Sequence, residues 1–327
     1  MNKHLHPTTT RVLALGVVLL VGAIALIHSP LIRHTSEAES IQLANQTPFT
    51  ERAAALNLDQ TWIVSAEEAK ILVDQGATLL DARGHQWLGW QHLPGSKSVQ
   101  WQTFSPQTTT QKGTLLKDNT VLTQKLRQLG ISNHRPVVVF ANPKRGWGED
   151  GRIVWMLRTL GHPKAVIVDG GYPALVAANL KSRPEPPPGN FVIQRDPSWQ
   201  IQRDDLKAVL EEQQGVIIDT RTPQEYAGAT PYGEQRRGHI PNAVNLHFRT
   251  LFNAQGKLLP RDRILAQLQA IGITPDTPIV AYCTGGIRSG WLTVVLTDLG
   301  FQVKNYAGSM WEWSAGSPKA YPLTVQS

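Results

Sequence analysis

The chain contains two copies of one sequence pattern, and this duplication limits the folds that it can adopt. Four segments of the first half reappear in the same order in the second half. The pairs are LLDAR (79–83) with IIDTR (217–221), QHLPGSKSVQW (91–101) with GHIPNAVNLHF (238–248), PVVVFAN (136–142) with PIVAYC (278–283), and LRTLGHPKAVIVDGGY (157–172) with LTDLGFQVKNYAGSM (296–310). A duplicated domain explains this order, so both halves are expected to share one fold.

Length and composition agree with two packed domains. A chain of 36.1 kDa is about twice the usual single-domain size, and 41% hydrophobic with 17% charged residues is enough to form cores. We predict a first domain at 61–180 and a second at 200–323. The proline-rich segment 181–199, which begins KSRPEPPPGNF, predicts a stiff linker, and the polar residues 36–60 predict a spacer.

Within each copy, short apolar runs alternate with amphipathic stretches. The runs Val137–Phe140, Val166–Val168, Val216–Ile218 and Ile279–Tyr282 are too short for buried helices and are typical of parallel strands. Asp262–Ile271 carries apolar residues at helical spacing. This alternation predicts an α/β fold in which each domain is a mostly parallel sheet with helices on both faces.

An uncharged apolar run, VLALGVVLLVGAIALI, occupies residues 12–27. This run predicts that residues 1–35 are a signal anchor or a cleaved signal peptide. A buried core helix is the third alternative. We favour an uncleaved hydrophobic helix that binds the membrane. Because Lys3 and Arg11 precede the run, the body is expected on the extracytoplasmic side.

The formal charge of +7 and the pI near 9.6 favour anionic ligands. Lys and Arg are scattered and form no basic stripe, so we expect no nucleic-acid partner. We also predict no cofactor and no metal. The single cysteine, Cys283, has no partner for a disulfide within the chain.

Cys283 lies in the stretch PIVAYCTGGIRSGW, directly after a predicted strand and before a helix predicted from Ser289 to Leu299. In a parallel α/β sheet, ligands bind at the carboxyl ends of strands. The loop of Thr284, Gly285, Gly286 and Ile287 can turn backbone N–H groups inward at the start of that helix. The segment from 284 to 288, which ends in Arg288, is therefore expected to stabilise a thiolate and lower its pKa to roughly 3.5–7.5.

The chain resembles the tandem-domain rhodaneses, which are sulfurtransferases built from two rhodanese-like domains. Four motifs carry the resemblance: DTR (219–221) followed by Glu225-Tyr226, GHIPNAVN (238–245), CTGGIR (283–288) and GSMWEW (308–313). The similarity extends from about Trp62 to Tyr321. It implies sulfur transfer through a persulfide on Cys283, from a small anionic donor to a thiol or cyanide.

The resemblance and the residue chemistry assign roles to further side chains. Arg288 is the first candidate for the anionic end of the donor, because a guanidinium matches sulfonate or carboxylate geometry, and Arg237 is the second. Asp219 and Arg221 are expected to form an internal ion pair, and His239 to be a structural hydrogen-bonding residue. All three are supporting residues.

The first domain is expected to be catalytically silent. Ala141 or Asn142 stands where the second copy has Cys283, and the segment 142–152, NPKRGWGEDGR, contains no nucleophile. We expect this loop to shape the cleft between the domains, with substrate contact by Lys144 or Arg145 as the alternative.

Three rival functions remain in view. Cysteine phosphatases place five residues between Cys and Arg, whereas here four intervene. The loop CTGGIR also resembles that of rhodanese-like enzymes that hydroxylate tRNA uridines, but the duplication and the apolar segment argue against them. A non-enzymatic sulfur carrier is the third. For the donor we predict thiosulfate, with 3-mercaptopyruvate as the alternative because Thr284, Gly285 and Gly286 are small.

Overall fold

The computed structural model describes residues 56–84, 93–180 and 184–325, and the two repeats within them fold alike. The first repeat contains strands β1 (Ile63–Val64), β2 (Thr78–Asp81), β3 (Lys97–Ser98), β4 (Val137–Phe140) and β5 (Ala165–Val168), and helices α1 (Ala66–Asp74), α2 (Asn119–Gln128), α3 (Glu149–Thr159) and α4 (Gly171–Ala177). The second contains β6 (Val216–Asp219), β7 (Val244–Asn245), β8 (Ile279–Tyr282) and β9 (Val303–Asn305), and α5 (Arg203–Glu212), α6 (Pro223–Ala227), α7 (Arg261–Ala270), α8 (Ile287–Asp298) and α9 (Ser309–Trp313). Short 3-10 helices span Trp101–Phe104, Pro197–Trp199 and Phe248–Leu251.

The two sheets have the same strand order. The first runs β1-β5-β4-β2-β3 and the second β7-β6-β8-β9, and every strand pair in the described ranges is parallel. An isolated parallel bridge between Gln200 and Asn305 takes the place that β1 occupies in the first sheet. The predicted duplication and parallel α/β architecture are therefore confirmed.

Helices cover both faces of each sheet because successive strand residues point to opposite sides. In β8, Ile279 and Ala281 pack in the cluster that contains residues of α7 and α8. Val280 and Tyr282 instead pack in the cluster that contains residues of α5 and α9. All four strand residues are buried, which explains why this strand reads as a continuous apolar run rather than an alternating one.

The two repeats share one hydrophobic core, which is centred on α3 and α8. Both helices are buried over most of their length. A Cβ atom added to Gly151 would lie 2.4 Å from the Cα atom of Trp291, and one added to Gly290 would lie 3.3 Å from the Cα atom of Arg152. Glycine at both positions therefore lets the helix backbones approach closely.

The segment between the repeats is attached to the first of them. Residues 184–196 contain no helix or strand, and backbone bonds from Gly189 to Arg127, from Phe191 to Ile131 and from Gln194 to Leu160 hold them. The proline-rich segment, predicted as a stiff linker, thus lies along the surface of the first repeat.

Helix α8 begins at Ile287, two residues before the predicted start. Its N-cap, Gly286, has φ 81°, in the left-handed region that favours glycine. This earlier start corrects the predicted boundary and places Arg288 in the first turn of the helix instead of in the loop.

The apolar segment 12–27 lies outside the described residues. Within the described ranges, no helix combines the length and the apolar character needed to cross a membrane.

Candidate active site

Cys283 follows β8 directly, and its backbone is fixed on both sides. Its N–H donates to Ser309 Oγ at 3.1 Å, while its carbonyl accepts the N–H of Met310 at 3.1 Å. The carbonyl of Thr284 accepts the N–H of Trp311 at 3.0 Å. The N–H groups at the start of α9 thus bind both carbonyls. The N–H groups of the loop can then point towards the sulfur.

The sulfur lies in a cradle of donors. The N–H of Gly286 donates to Cys283 Sγ at 3.1 Å, and the hydroxyl of Ser289 lies 3.6 Å from the same atom. An alanine at position 286 would be strained by the positive φ and would bring its Cβ 2.7 Å from the backbone of Ala307. The sequence thus uses glycine where the cradle needs a left-handed turn in a confined space.

These contacts favour the ionised form of the thiol. Burial raises the pKa of Cys283, but the charge of Arg288, the N–H and hydroxyl of Ser289 and the N–H of Gly285 lower it more. The net result is a pKa below the ordinary value of 9.0. The direction matches the sequence prediction, and a lower pKa is the condition for a nucleophilic thiolate at neutral pH.

Arg288 is buried and forms a bidentate ion pair. Its Nη1 donates to Glu225 Oε2 and its Nη2 to Glu225 Oε1, both at 2.7 Å, and Nη2 also lies 2.8 Å from Thr284 Oγ1. Glu225 is itself held in a capping box with Thr222 at the start of α6. Both terminal nitrogens of Arg288 are thus engaged within the protein, and its contact with a donor stays a prediction.

Thr284 connects this ion pair to a second carboxylate. Its hydroxyl lies 3.2 Å from Glu225 Oε1 and 3.2 Å from Glu234 Oε1. Glu234 also accepts the backbone N–H of Tyr232 at 3.0 Å. One buried cation and two carboxylates thus lie beside the loop, and the groups that contact the sulfur are the N–H of Gly286 and the hydroxyl of Ser289.

A cavity of about 640 Å³ opens in front of Cys283 between the two repeats. From the first repeat it is lined by Ala82, Arg83, Gly84, Gln100, Trp101, Gln102, Asn142, Arg145, Gly146, Trp147 and Glu149; from the second it is lined by Tyr232, Cys283, Thr284, Gly285, Ile287, Arg288 and Trp311. Both domains therefore form the walls around the nucleophile.

Aromatic rings contribute much of the cavity wall. Trp101 and Trp311 stack across the domain boundary with ring centroids 6.5 Å apart, and Trp147 meets Tyr232 edge to face at 5.7 Å. The Arg288 guanidinium lies 5.1 Å from the Trp147 ring centroid. A Cβ on Gly285 would come within 2.0 Å of the Trp311 ring, so glycine lets this tryptophan cover the loop.

Some predicted residues lie away from this cavity. Arg237 is exposed and donates Nε to the carbonyl of Gly228 at 3.2 Å, so the structure does not bring it to Cys283. His239 stacks on Tyr226, with ring centroids 3.7 Å apart, and its Nδ1 lies 2.9 Å from the Tyr226 carbonyl. These contacts are those of a structural hydrogen-bonding residue.

Asp219 and Arg221 form the predicted ion pair. Arg221 Nη2 lies 2.7 Å from Asp219 Oδ2 in a buried setting, and it also donates to the carbonyl of Gly238 at 2.9 Å. The pair thereby ties the end of β6 to the GHIP segment. Asp81 and Arg83 repeat the same pair in the first domain at 2.6 Å.

In the first domain, Ala141 follows β4 as Cys283 follows β8. The loop after it lines the cavity through Arg145, whereas Lys144 is not among the lining residues. Arg249 of the second repeat holds this loop by donating to the carbonyls of Pro143 at 3.0 Å and Gly146 at 2.7 Å. The first repeat therefore supplies a wall of the site and no sulfur nucleophile at the matching position.

Sequence reasoning missed the partner of Arg288 and most of the aromatic wall. In the sequence, Glu225 stands out only as part of the motif that follows residues 219–221. Its distance along the chain from Arg288 gives no sign that the two side chains meet. Trp101, Trp147 and Tyr232 stand in segments without periodicity. Within the described ranges, no group of three or more His, Cys, Asp or Glu side chains is placed to hold a metal ion.

We expect Glu225→Gln to destabilise the protein in a pH-dependent manner. Burial raises the pKa of Glu225, but hydrogen bonds and charge from Arg288 outweigh it, and the pKa falls from 4.5 to about 2. Ionised Glu225 therefore adds stability that is fully present above about pH 4.5 and is lost as the pH falls towards 2. Urea unfolding should show that the deficit of the variant is largest at neutral pH and shrinks on acidification.

The matched control is Glu211→Gln, because Glu211 pairs with Lys207 at 3.5 Å on the exposed surface. That substitution should change the free energy of unfolding little at any pH. An equal deficit for Glu225→Gln at neutral and acidic pH would contradict the assigned ion pair.

The sequence profile of the rhodanese-like domain matches this chain twice, at residues 65–178 and 202–316. The thiosulfate sulfurtransferase of Pseudomonas aeruginosa is 32% identical over 74% of this chain and 87% of its own length. The sulfur carrier protein TtuD of Thermus thermophilus is 31% identical over 68% of this chain and 82% of its own length. The 3-mercaptopyruvate sulfurtransferase of Escherichia coli is 26% identical over 79% and 96%, respectively.

The solved structures that this fold resembles lead to the same family. The 3-mercaptopyruvate sulfurtransferase SseA from Escherichia coli superposes with a TM-score of 0.64 at 26% identity, over 76% of this chain and 98% of SseA. Tum1 from Saccharomyces cerevisiae superposes with a TM-score of 0.70 over 83% of this chain and 99% of Tum1, at an identity of 17% that supports the fold alone. The chain therefore belongs to the rhodanese family of sulfurtransferases, with two rhodanese-like domains in tandem.

Proposed function

We propose that this protein transfers the sulfane sulfur of thiosulfate to cyanide or to a thiol through a persulfide on Cys283. The observation that carries the proposal is the cradle of Cys283. The Cys283 thiol has a lowered pKa and accepts a hydrogen bond from the N–H of Gly286. It lies just before the N-terminus of α8 and lines a cavity that is large enough for small substrates. This is the arrangement that an attacking thiolate needs.

In the first half-reaction, the Cys283 thiolate attacks the outer sulfur of thiosulfate. The new S–S bond forms as the bond between the two thiosulfate sulfurs breaks, and sulfite leaves with that electron pair. The enzyme then holds a persulfide anion, so the total charge is unchanged. The N–H groups of Gly285 and Gly286 and the hydroxyl of Ser289 favour that anion as they favour the thiolate.

In the second half-reaction, the acceptor attacks the outer sulfur of the persulfide. Cyanide leaves as thiocyanate and a thiol leaves as its own persulfide, and the Cys283 thiolate is restored. The cavity volume of about 640 Å³ lies within the range of roughly 300–1,000 Å³ that is typical of small-molecule pockets. A larger acceptor thiol therefore has room to approach the sulfur.

The choice of thiosulfate rests on relatives and on charge. The Pseudomonas aeruginosa relative carries that activity in its name. Among the charged residues that line the cavity, Arg83, Arg145 and Arg288 outnumber Glu149, and this excess of positive charge favours a dianion. Arg145 is a candidate for the sulfonate end beside Arg288, because it lines the cavity from the opposite repeat.

Two alternatives have specific support. The small residues Thr284, Gly285 and Gly286 and the likeness to the Escherichia coli enzyme favour 3-mercaptopyruvate as the donor. The Thermus thermophilus relative is named a sulfur carrier protein, which favours a protein that takes up sulfur and passes it to a partner without turnover on small acceptors.

Thiosulfate treatment should add about 32 Da to the intact protein, the mass of one sulfur atom. Because Cys283 is the single cysteine, the adduct is assigned without ambiguity, and Cys283→Ser should show neither the adduct nor turnover. Mass spectrometry before and after addition of cyanide makes the measurement. No adduct would refute the persulfide, whereas an adduct that cyanide leaves in place would favour the carrier.

Thiosulfate should exceed 3-mercaptopyruvate in kcat/KM by about tenfold or more. Both donors are compared on one preparation with cyanide as acceptor, and thiocyanate is measured. Arg145→Met should raise the KM for thiosulfate more than for 3-mercaptopyruvate, with Lys144→Met as the matched control outside the cavity. A higher kcat/KM for 3-mercaptopyruvate would reverse the proposed donor.

We also propose that residues 12–27 direct the catalytic body to the extracytoplasmic side of a membrane. The support is the uncharged apolar run itself, preceded by Lys3 and Arg11. Cell fractionation should find the protein in the membrane fraction, with the body accessible to protease added from outside. Recovery of the full-length protein in the cytoplasmic fraction would contradict this proposal.

A further inference from the structure

Arg152 is a buried cation of the first repeat that reaches the back of the Cys283 loop. It lies in α3 and is 1% exposed. Its Nη2 donates to the carbonyl of Gly113 at 2.7 Å and its Nη1 to the carbonyl of Gly286 at 3.4 Å, while its buried Nε has no hydrogen-bond partner. The guanidinium also packs against the ring of Trp155, 4.5 Å from its centroid.

The other buried arginines near the site have carboxylate partners, and Arg152 does not. Arg83, Arg221 and Arg288 each form an ion pair with Asp or Glu. None of the ion pairs found in the described part of the chain includes Arg152. A buried cation without an anion is costly, so a compensating negative charge is expected nearby.

The reacting sulfur supplies that negative charge. Arg152 contacts Gly286, and the N–H of Gly286 donates to Cys283 Sγ. Burial lowers the pKa of Arg152 to about 9, and the negative charge of Cys283 opposes this decrease. Arg152 is therefore largely charged at neutral pH, and its attraction to the thiolate adds to that of Arg288, the group that lowers the pKa of Cys283 most.

We propose that Arg152 is a positioning residue of the catalytic reaction: it holds the Gly286 end of the loop and favours negative charge on the sulfur of Cys283. This inference rests on the proposed function for its meaning, because the charge it favours is that of the thiolate and of the persulfide. It also gives the first repeat, which lacks the nucleophile, a part in the chemistry of the second.

The charged groups around Cys283 determine the apparent pKa that a titration of its thiol will give. They are Arg288 from α8, Glu225 from α6, Glu234 from the segment before β7, Arg152 and Glu149 from α3, Arg145 from the loop before α3, and the paired Arg83 and Asp81 at the end of β2. Arg288 and Glu225 balance each other in a bidentate pair. Arg152 adds a buried positive charge that takes part in none of the ion pairs found among the described residues.

The test is the rate at which iodoacetamide alkylates Cys283 between about pH 5 and 8.5 in the full chain. Arg152→Met removes the charge, so the apparent pKa of Cys283 should rise by about half a unit to one unit. The alkylation rate below that midpoint then falls about three- to tenfold. Arg152→Lys keeps the charge and should leave the midpoint close to that of the wild type.

Arg158 provides a matched control on the same helix. It is 5% exposed, donates to the carbonyls of Leu58, Thr61 and Ala165, and packs 4.4 Å from the centroid of Trp62. Arg158→Met should lower thermal stability without moving the Cys283 midpoint. Arg152→Gln, which has no charge but keeps N–H donors, is measured in parallel in case the Met variant does not fold.

A midpoint that rises in Arg152→Met or Arg152→Gln but not in Arg152→Lys or Arg158→Met supports the assignment. Unchanged midpoints in the uncharged variants, or an equal rise in Arg158→Met, overturn it. Alkylation needs no sulfur donor, so its result is independent of whether the wild-type protein forms a persulfide. Failure of the proposed function and failure of this inference are therefore distinguishable.

Discussion

The close contact between α3 and α8 is the constraint on which the rest of the structure depends. Gly151 and Gly290 permit it, and apolar side chains of both repeats pack around it in one shared cluster. Because α8 begins directly after the loop of Cys283, the packing of this helix also fixes the orientation of the nucleophile. The same contact places α3 behind that loop and the first repeat opposite it. The contact between α3 and α8 thus joins the two repeats and also positions the loop of Cys283.

The charge of Arg288 and the hydrogen bonds around Cys283 together favour the thiolate over the thiol. The carbonyls of Cys283 and Thr284 are taken up by the start of α9, and the N–H of Gly286 points at the sulfur. Preoriented dipoles of this kind need no reorganisation when negative charge appears. The first repeat has Ala141 where the second has its cysteine, and it contributes Trp101 and Trp147 to the wall of the cavity.

The sequence predicts the strands and the position of the cysteine, because these depend on the pattern of neighbouring residues. The strands Val137–Phe140 and Ile279–Tyr282 have the predicted bounds, because four consecutive apolar residues suit a sheet buried on both faces. The position of Cys283 follows from topology, since strand ends carry ligands in this fold class. Contacts between distant segments leave no periodic signal: the pairing of Arg288 with Glu225 joins residues 63 positions apart. Arg237 directly precedes the GHIP motif in the sequence, but its side chain lies at the surface.

The ion pair of Arg288 and Glu225 has a consequence for the environments in which the site can work. Both side chains are buried, at 4% and 3% exposure, so dissolved ions cannot come between them. Ionic strength screens exposed charges over about a Debye length but weakens enclosed pairs and short dipolar contacts far less. We therefore expect salt to weaken the binding of an anionic donor from solution far more than it weakens the ion pair beside the sulfur. The salt concentration should thus affect the binding of the donor more than the reaction at the sulfur.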